Sequence, residues 1–168
     1  MLSVRLAEPN DAMEVAGVHV RCWQRAYRGL FRDEYLDGLR PEERAARYTF
    51  EGQADQPLTI VAGECGAIHG FATIGAPSTD AGENIGELLA LYVDPDHWGR
   101  GIGRGLILEA RKRMIKRGFG DAVLWVLAGN HRAERFYRAD GWTLDGGRRQ
   151  DEVWGVLADE LRYRRALQ

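Results

Sequence analysis

The stretch from Glu87 to Lys116, ELLALYVDPDHWGRGIGRGLILEARKRMIK, most narrows what this chain can fold into. It starts as an apolar strand, breaks at Asp94-Pro95-Asp96, crosses a loop holding Gly99, Gly101, Gly103 and Gly105, and continues with helical periodicity. Leu106, Ile107, Ala110 and Met114 share one helical face, while Arg111, Lys112, Arg113, Lys116 and Arg117 occupy or border the others. Asp121 to Leu127 follows as a strand, nearly all apolar in VLWVL, as expected of one covered on both faces. Strand, helix and strand in succession predict a parallel right-handed crossover. The helix start behind the glycine loop offers unpaired N–H donors and the positive end of the helix dipole, which suits a phosphate.

Glycine spacing separates one phosphate loop from another, because each needs close backbone approach at different points. No frame fits GxGxxG, and GxxxxGK followed by Ser or Thr is missing. Read alone, the glycines would also serve a turn that lets a strand and a helix pack closely. Trp98-Gly99-Arg100-Gly101-Ile102-Gly103 resembles the diphosphate loop of the GNAT family of N-acetyltransferases: Gln or Arg, two residues, Gly, one residue, then Gly or Ala. Trp98 departs from that pattern at its first position, where a side-chain contact is sometimes made. A second stretch, Asn130 to Trp142, is similar to the family's N-x-x-A-x-x-F-Y-x-x-x-G-(F or W) at every named position, through Asn130, Ala133, Phe136, Tyr137, Gly141 and Trp142.

The remainder of the chain supplies further elements. Ser3 to Ala7 reads as a strand, with Asn10 or Asp11 capping a helix whose stripe is Ala12, Val15, Ala16, His19, Trp23 and Tyr27. Phe31 to Leu39 reads as a loop with a helical turn, and Pro41 opens another helix with Glu42 and Glu43 in its first turn. Leu58 to Gly63 and Ile68 to Ile74 form an antiparallel hairpin, and the polar run Ala76 to Asn84 is a loop. Asn130 caps a helix stopped by Gly141. Trp142 to Leu144 and a segment within Val153 to Arg164 give final antiparallel strands, separated by a Gly146-Gly147 turn. The order is βααβββαβαββ, an α/β mixed sheet with helices on both sides and no linker or repeat, so residues 1–168 read as one domain. This resembles the GNAT fold over essentially the whole chain, in which the central strands splay to hold CoA.

The resemblance implies an N-acetyltransferase that carries acetyl from acetyl-CoA to a primary amine by direct attack. The loop Gly99, Arg100, Gly101, Ile102, Gly103 and Arg104 would hold the diphosphate, with Arg135 a further cation near it. Leu91, Tyr92, Val93, Asn130 and Phe136 would line the cofactor, the main-chain groups of Leu91 and Val93 pairing with the pantetheine arm. Tyr137 would be the acid facing the sulfur, and the Val93 N–H the oxyanion contact. Glu87 would be the base; the residues alone also allow an ordinary strand-end carboxylate. Period two sets Glu87 on one face with Leu89, Leu91 and Val93. Trp23, Tyr27 and Phe31 would form the acceptor wall or pack their helix. A non-catalytic acyl-CoA sensor of the same fold is the alternative reading.

A chain of 168 residues suffices for one buried core. Its 23 basic and 25 acidic side chains give no general attraction to nucleic acid or an anionic membrane. Cys22 and Cys65, in segments read as helix and strand, are expected as free buried thiols, neither lying in or beside a signature. His19, His69, His97 and His131 are scattered, so no metal is expected. No apolar signal core opens the chain and no run spans a membrane, which reads as soluble and cytoplasmic. The acceptor, a small amine or a peptide N-terminus, stays open, as does oligomeric state, a homodimer included. Asp33, Glu34 and Asp37 either attract a cationic amine or form a solvated face.

Overall fold

The computed structural model describes residues 1–51, 57–153 and 155–168. Its strands are β1 (Ser3–Leu6), β2 (Leu58–Glu64), β3 (Ala67–Gly75), β4 (Ile85–Val93), β5 (Asp121–Leu127), β6 (Thr143–Val153) and β7 (Val156–Ala166). The helices are α1 (Ala12–Ala26), α2 (Asp33–Asp37), α3 (Pro41–Ala45), α4 (Ile102–Lys116) and α5 (His131–Ala139). The expected order holds, with the short helix α2 filling the segment read as a loop with a helical turn. One mixed sheet runs β1-β2-β3-β4-β5-β7-β6, antiparallel except where α4 carries the chain from β4 to a parallel β5.

Helices cover both faces. On one, Leu106, Ile107, Ala110 and Met114 of α4 pack on Ile60, Ala72, Ile74 and Leu124, and Tyr137 of α5 and Trp142 join them. On the other, Val15 and Val18 of α1 pack on Val61, Ile68 and Phe71. Adjacent residues Ile60 and Val61 thus serve opposite cores, as the pleat demands. Each fully buried aliphatic side chain contributes roughly 1.5–3 kcal/mol. Among the described residues no helix is long and apolar enough to cross a membrane.

Three local expectations are corrected. Asp11 does not cap α1 with its side chain; the carboxylate accepts from the Glu8 N–H at 2.7 Å and pairs with Arg5, closing a 3-10 turn instead. Cys65 is exposed, because it and Gly66 are the two left-handed residues, φ 52° and 84°, that a tight hairpin requires. Gly146-Gly147 is a bulge inside β6 and not a turn: the register shifts between Leu144 and Arg148. Asp145 accepts from the Gly147 N–H at 2.9 Å and pairs with Arg162 of β7, which pins the bulge to the neighbouring strand. β6 therefore continues to Val153, which pairs with Val156 of β7.

A second bulge shapes the centre of the sheet. Thr73 pairs with Ala90 and Ile74 with Leu88, leaving Leu89 as an extra residue in β4. Leu88, Leu91 and Val93 pack toward α4, whereas Ala90 and Tyr92 pack toward α1. Glu87, adjacent to Leu88, falls on the α1 face, across the sheet from Leu91 and Val93. The expectation that period two keeps all of Glu87, Leu89, Leu91 and Val93 together is thereby corrected, since one inserted residue reverses the phase. β4 and β5 pair only from Ile85–Asp121 to Leu88–Leu124; beyond that β4 stays with β3, and β5 with β7.

Candidate active site

The splay opens a groove of about 820 Å³. Its first wall is the start of α4. Gly99 and Gly101 have φ of 77° and 81°, a conformation glycine adopts without strain, and Gly101 is the N-cap. With no cap side chain and no acid in the first turn, the amides that open α4 keep their donors and their positive potential toward the groove. Gly103 allows close approach: a Cβ there would lie 3.3 Å from the Phe136 ring and 3.5 Å from Val93. Ile102 anchors the turn in the core, and Arg104 lines the groove. Arg100 is exposed on the loop between Gly99 and Gly101.

The second wall is the free edge of β4. The Asp94 N–H donates to the His69 carbonyl of the β3 strand end at 2.7 Å, so alternation sends the backbone groups of Leu91 and Val93 to the opposite, splayed edge. The Val93 carbonyl is already engaged there. It accepts from Trp98 Nε1 at 2.7 Å and from Cys22 Sγ at 2.7 Å. Trp98, the residue that departs from the family motif, thus ties the glycine loop back to the strand it leaves. Cys22, expected away from both signatures, sits beside Val93, and burial pushes its thiol up to about 12.

α5 forms the opposite wall. Asn130 caps it, accepting from the Ala133 N–H at 3.3 Å, and lines the groove. Buried Glu134 accepts from the Tyr163 hydroxyl at 2.7 Å, locking α5 to β7; these bonds hold its carboxyl below the usual range. Asp140, next to the helix end, pairs with Arg111 of α4 at 3.1 Å. So fixed, the helix puts Tyr137 in the groove wall, packed edge-on against Phe136, with burial raising its hydroxyl well above an ordinary phenol. Across from it, Tyr92 accepts from Trp23 Nε1 at 3.2 Å and hydrogen-bonds Tyr27. Trp23, Tyr27 and Phe31 pack mutually at 4.8–5.7 Å and still line the groove, so they build a core and a wall at once.

On the α1 face the groove ends in charged residues that belong to neither signature. Glu87 is buried, with its two oxygens accepting from the Ser78 N–H and hydroxyl at 2.5–3.0 Å. It is the third residue of β4 and not its terminal one. Arg149 lies 4.2 Å over the Trp125 ring, pairs with Glu160 at 3.0 Å and with Asp151 at 3.5 Å, and donates to Ser78. Burial raises the Glu160 carboxyl, with Arg149 opposing. Asp151 and Glu152 also line this end. The sequence signal for it is slight: Trp125 is the one aromatic in an aliphatic run, and Arg149 and Glu160 meet only through β6–β7 pairing. Asp33 and Asp37 pair instead with Arg28 on an exposed surface. His97 stacks on His69 at 3.7 Å, and among the described residues no group of three or more potential ligands could hold a metal ion.

Comparison with known proteins agrees with this geometry. The Acetyltransferase (GNAT) family model matches residues 22–142. The N-acetyltransferase YuaI of Bacillus subtilis is 27% identical over 77% of this chain and 74% of its own. A spermidine N(1)-acetyltransferase of Thermoplasma acidophilum is 26% identical over 86% of this chain and 89% of its own. The structure of the PaiA N-acetyltransferase of Thermoplasma acidophilum in complex with coenzyme A superposes with a TM-score of 0.76 at 22% identity, covering 99% of both chains. A matched glycine loop, a splayed sheet and a family model spanning most of the chain have one common explanation: this chain belongs to the GNAT acetyltransferase family and is an N-acetyltransferase.

Proposed function

We propose that the protein transfers acetyl from acetyl-CoA to a primary amine by direct attack within a ternary complex. The observation that carries this reading is the splay after Leu88, which leaves a strand edge free between an uncapped helix start and the Tyr137 wall. Bound acetyl-CoA would supply an activated thioester and a thiol leaving group. The residues present fit it: the amides opening α4 suit a diphosphate, and the backbone of Leu91 suits the amides of a pantetheine arm laid down as an extra strand. With the Val93 carbonyl taken by Trp98 and Cys22, Leu91 is left to offer the carbonyl on that edge. The Val93 N–H polarises the acyl oxygen, and Asn130 contacts the arm from α5.

Tyr137, kept protonated by burial, donates to the departing sulfur. Glu87, oriented by Ser78, takes the amine proton through water. A thiol as poorly ionised as Cys22 is a weak nucleophile, in keeping with direct transfer. Trp23, Tyr27 and Phe31 shape the acceptor wall. Glu87, Asp151 and Glu160, set among Arg44, Arg47 and Arg149, give the far end carboxylates that can accept from an ammonium group, and a small amine of the spermidine kind is the acceptor to try first. A panel of mono-, di- and polyamines with acetyl-CoA, read by CoA release and product mass, tests this. Acetylated di- or polyamine is the expected result; a protein that binds CoA yet turns over no acceptor would instead be a sensor.

A further inference from the structure

Trp98 stands where the family's loop carries Gln or Arg, and its indole cannot take over that contact with the cofactor. Its N–H is spent on the Val93 carbonyl, and indole has no second donor. Its ring face, however, is occupied. The Arg132 guanidinium lies 3.7 Å from the Trp98 ring centroid, reaching from the first turn of α5 across the mouth of the groove to the loop that opens α4. Both side chains line the groove together with Gly99, Gly101 and Gly103. Arg111, Arg138, Arg149, Arg162, Arg164 and Arg165 each pair with a carboxylate, whereas Arg132 forms no ion pair among the described residues.

We infer that Arg132, held over the Trp98 ring, is the side chain that grips the cofactor diphosphate in place of the motif's missing Gln or Arg. A guanidinium stacked on an aromatic face keeps its N–H donors at the rim, free for two phosphate oxygens. Held there beside the donors of α4, the guanidinium and the amides converge on one anion from the two walls. A lysine could supply charge at position 132 without that planar fork. The inference rests on the acetyl-CoA reading, and it assigns Trp98 a positioning role.

Calorimetry of CoA, dephospho-CoA and pantetheine against the purified protein and its variants tests it. Arg132→Gln should weaken CoA and dephospho-CoA by about tenfold to a hundredfold, the loss expected for a charge-assisted contact, and leave pantetheine unchanged. Arg132→Lys should recover only part. Trp98→Leu should weaken CoA less than Arg132→Gln, and Arg132→Gln combined with Trp98→Arg should recover affinity by restoring the family residue. Undiminished CoA affinity in Arg132→Gln would overturn the inference while leaving the acetyltransferase reading intact. So would an equal loss for pantetheine, which places Arg132 on the arm, or a loss seen with CoA but not dephospho-CoA, which places it on the 3′-phosphate. Failure of the unmodified protein to bind CoA would overturn both.

Discussion

Tyr137 owes its chemical state to where α5 places it. Burial holds the phenol neutral through the whole working range of an enzyme, so it adds no break to the rate profile near neutral pH. Tyr137→Phe keeps the ring packed against Phe136 and Trp142 and removes only the proton donor. It is expected to lower kcat by about 10²-fold or more with acetyl-CoA affinity unchanged, measured by steady-state kinetics and calorimetry; unchanged turnover would remove Tyr137 from the chemistry. The candidacy of Tyr137 was legible because it occupies a spaced motif. Glu87 was legible as a residue but not in its surroundings. Its Ser78 partners come from a loop nine residues earlier in the chain, and the face it occupies depends on a bulge. Arg149, Trp125 and Glu160 were not legible at all, since no short-range pattern joins three side chains from three strands.

At the scale of elements, the start of α4 and the middle of β4 contrast. The helix start announces itself, because a left-handed N-cap must be glycine or close to it. Gly101→Val has open space around its new Cβ, so its cost comes from φ of 81°, about 1–2 kcal/mol, and from crowding the anion site. Gly101→Asn, which tolerates that conformation, is expected to melt closer to the unmodified protein, while both variants lose CoA affinity. Thermal unfolding and calorimetry separate the two effects; normal CoA affinity in both would dissociate the loop from the cofactor. The β4 bulge carries no such mark. Leu89 is as apolar as Leu88 and Leu91, and it becomes the extra residue only when β4 is laid against β3. For the same reason Gly146-Gly147 resembles a turn in the sequence and becomes a bulge once Asp145 meets Arg162.

Over the whole molecule the groove gathers Arg104, Arg132 and Arg135 beside the α4 start, whereas on the α1 face Glu87, Asp151 and Glu160 lie among Arg44, Arg47 and Arg149. The cationic end suits a polyanionic cofactor and the mixed end an amine acceptor, with the splay between them. A cofactor that fills the splay binds the folded state alone, so CoA at about a hundred times its Kd should add about 2.7 kcal/mol and raise Tm; no shift at saturating CoA would argue against the cleft as the binding site. The sequence by itself determined the alternation of strands and helices, the parallel crossover, the glycine-led helix start and the tyrosine helix. Those depend on local periodicity, capping and backbone freedom, which neighbouring residues decide. Tertiary structure alone decided where β4 parts from β5, which face Glu87 occupies, that Trp98 takes up the Val93 carbonyl, and that Arg132 lies over its ring. These are outcomes of pairing and packing between segments far apart in the chain, where one unpaired residue in a strand reverses every side chain beyond it.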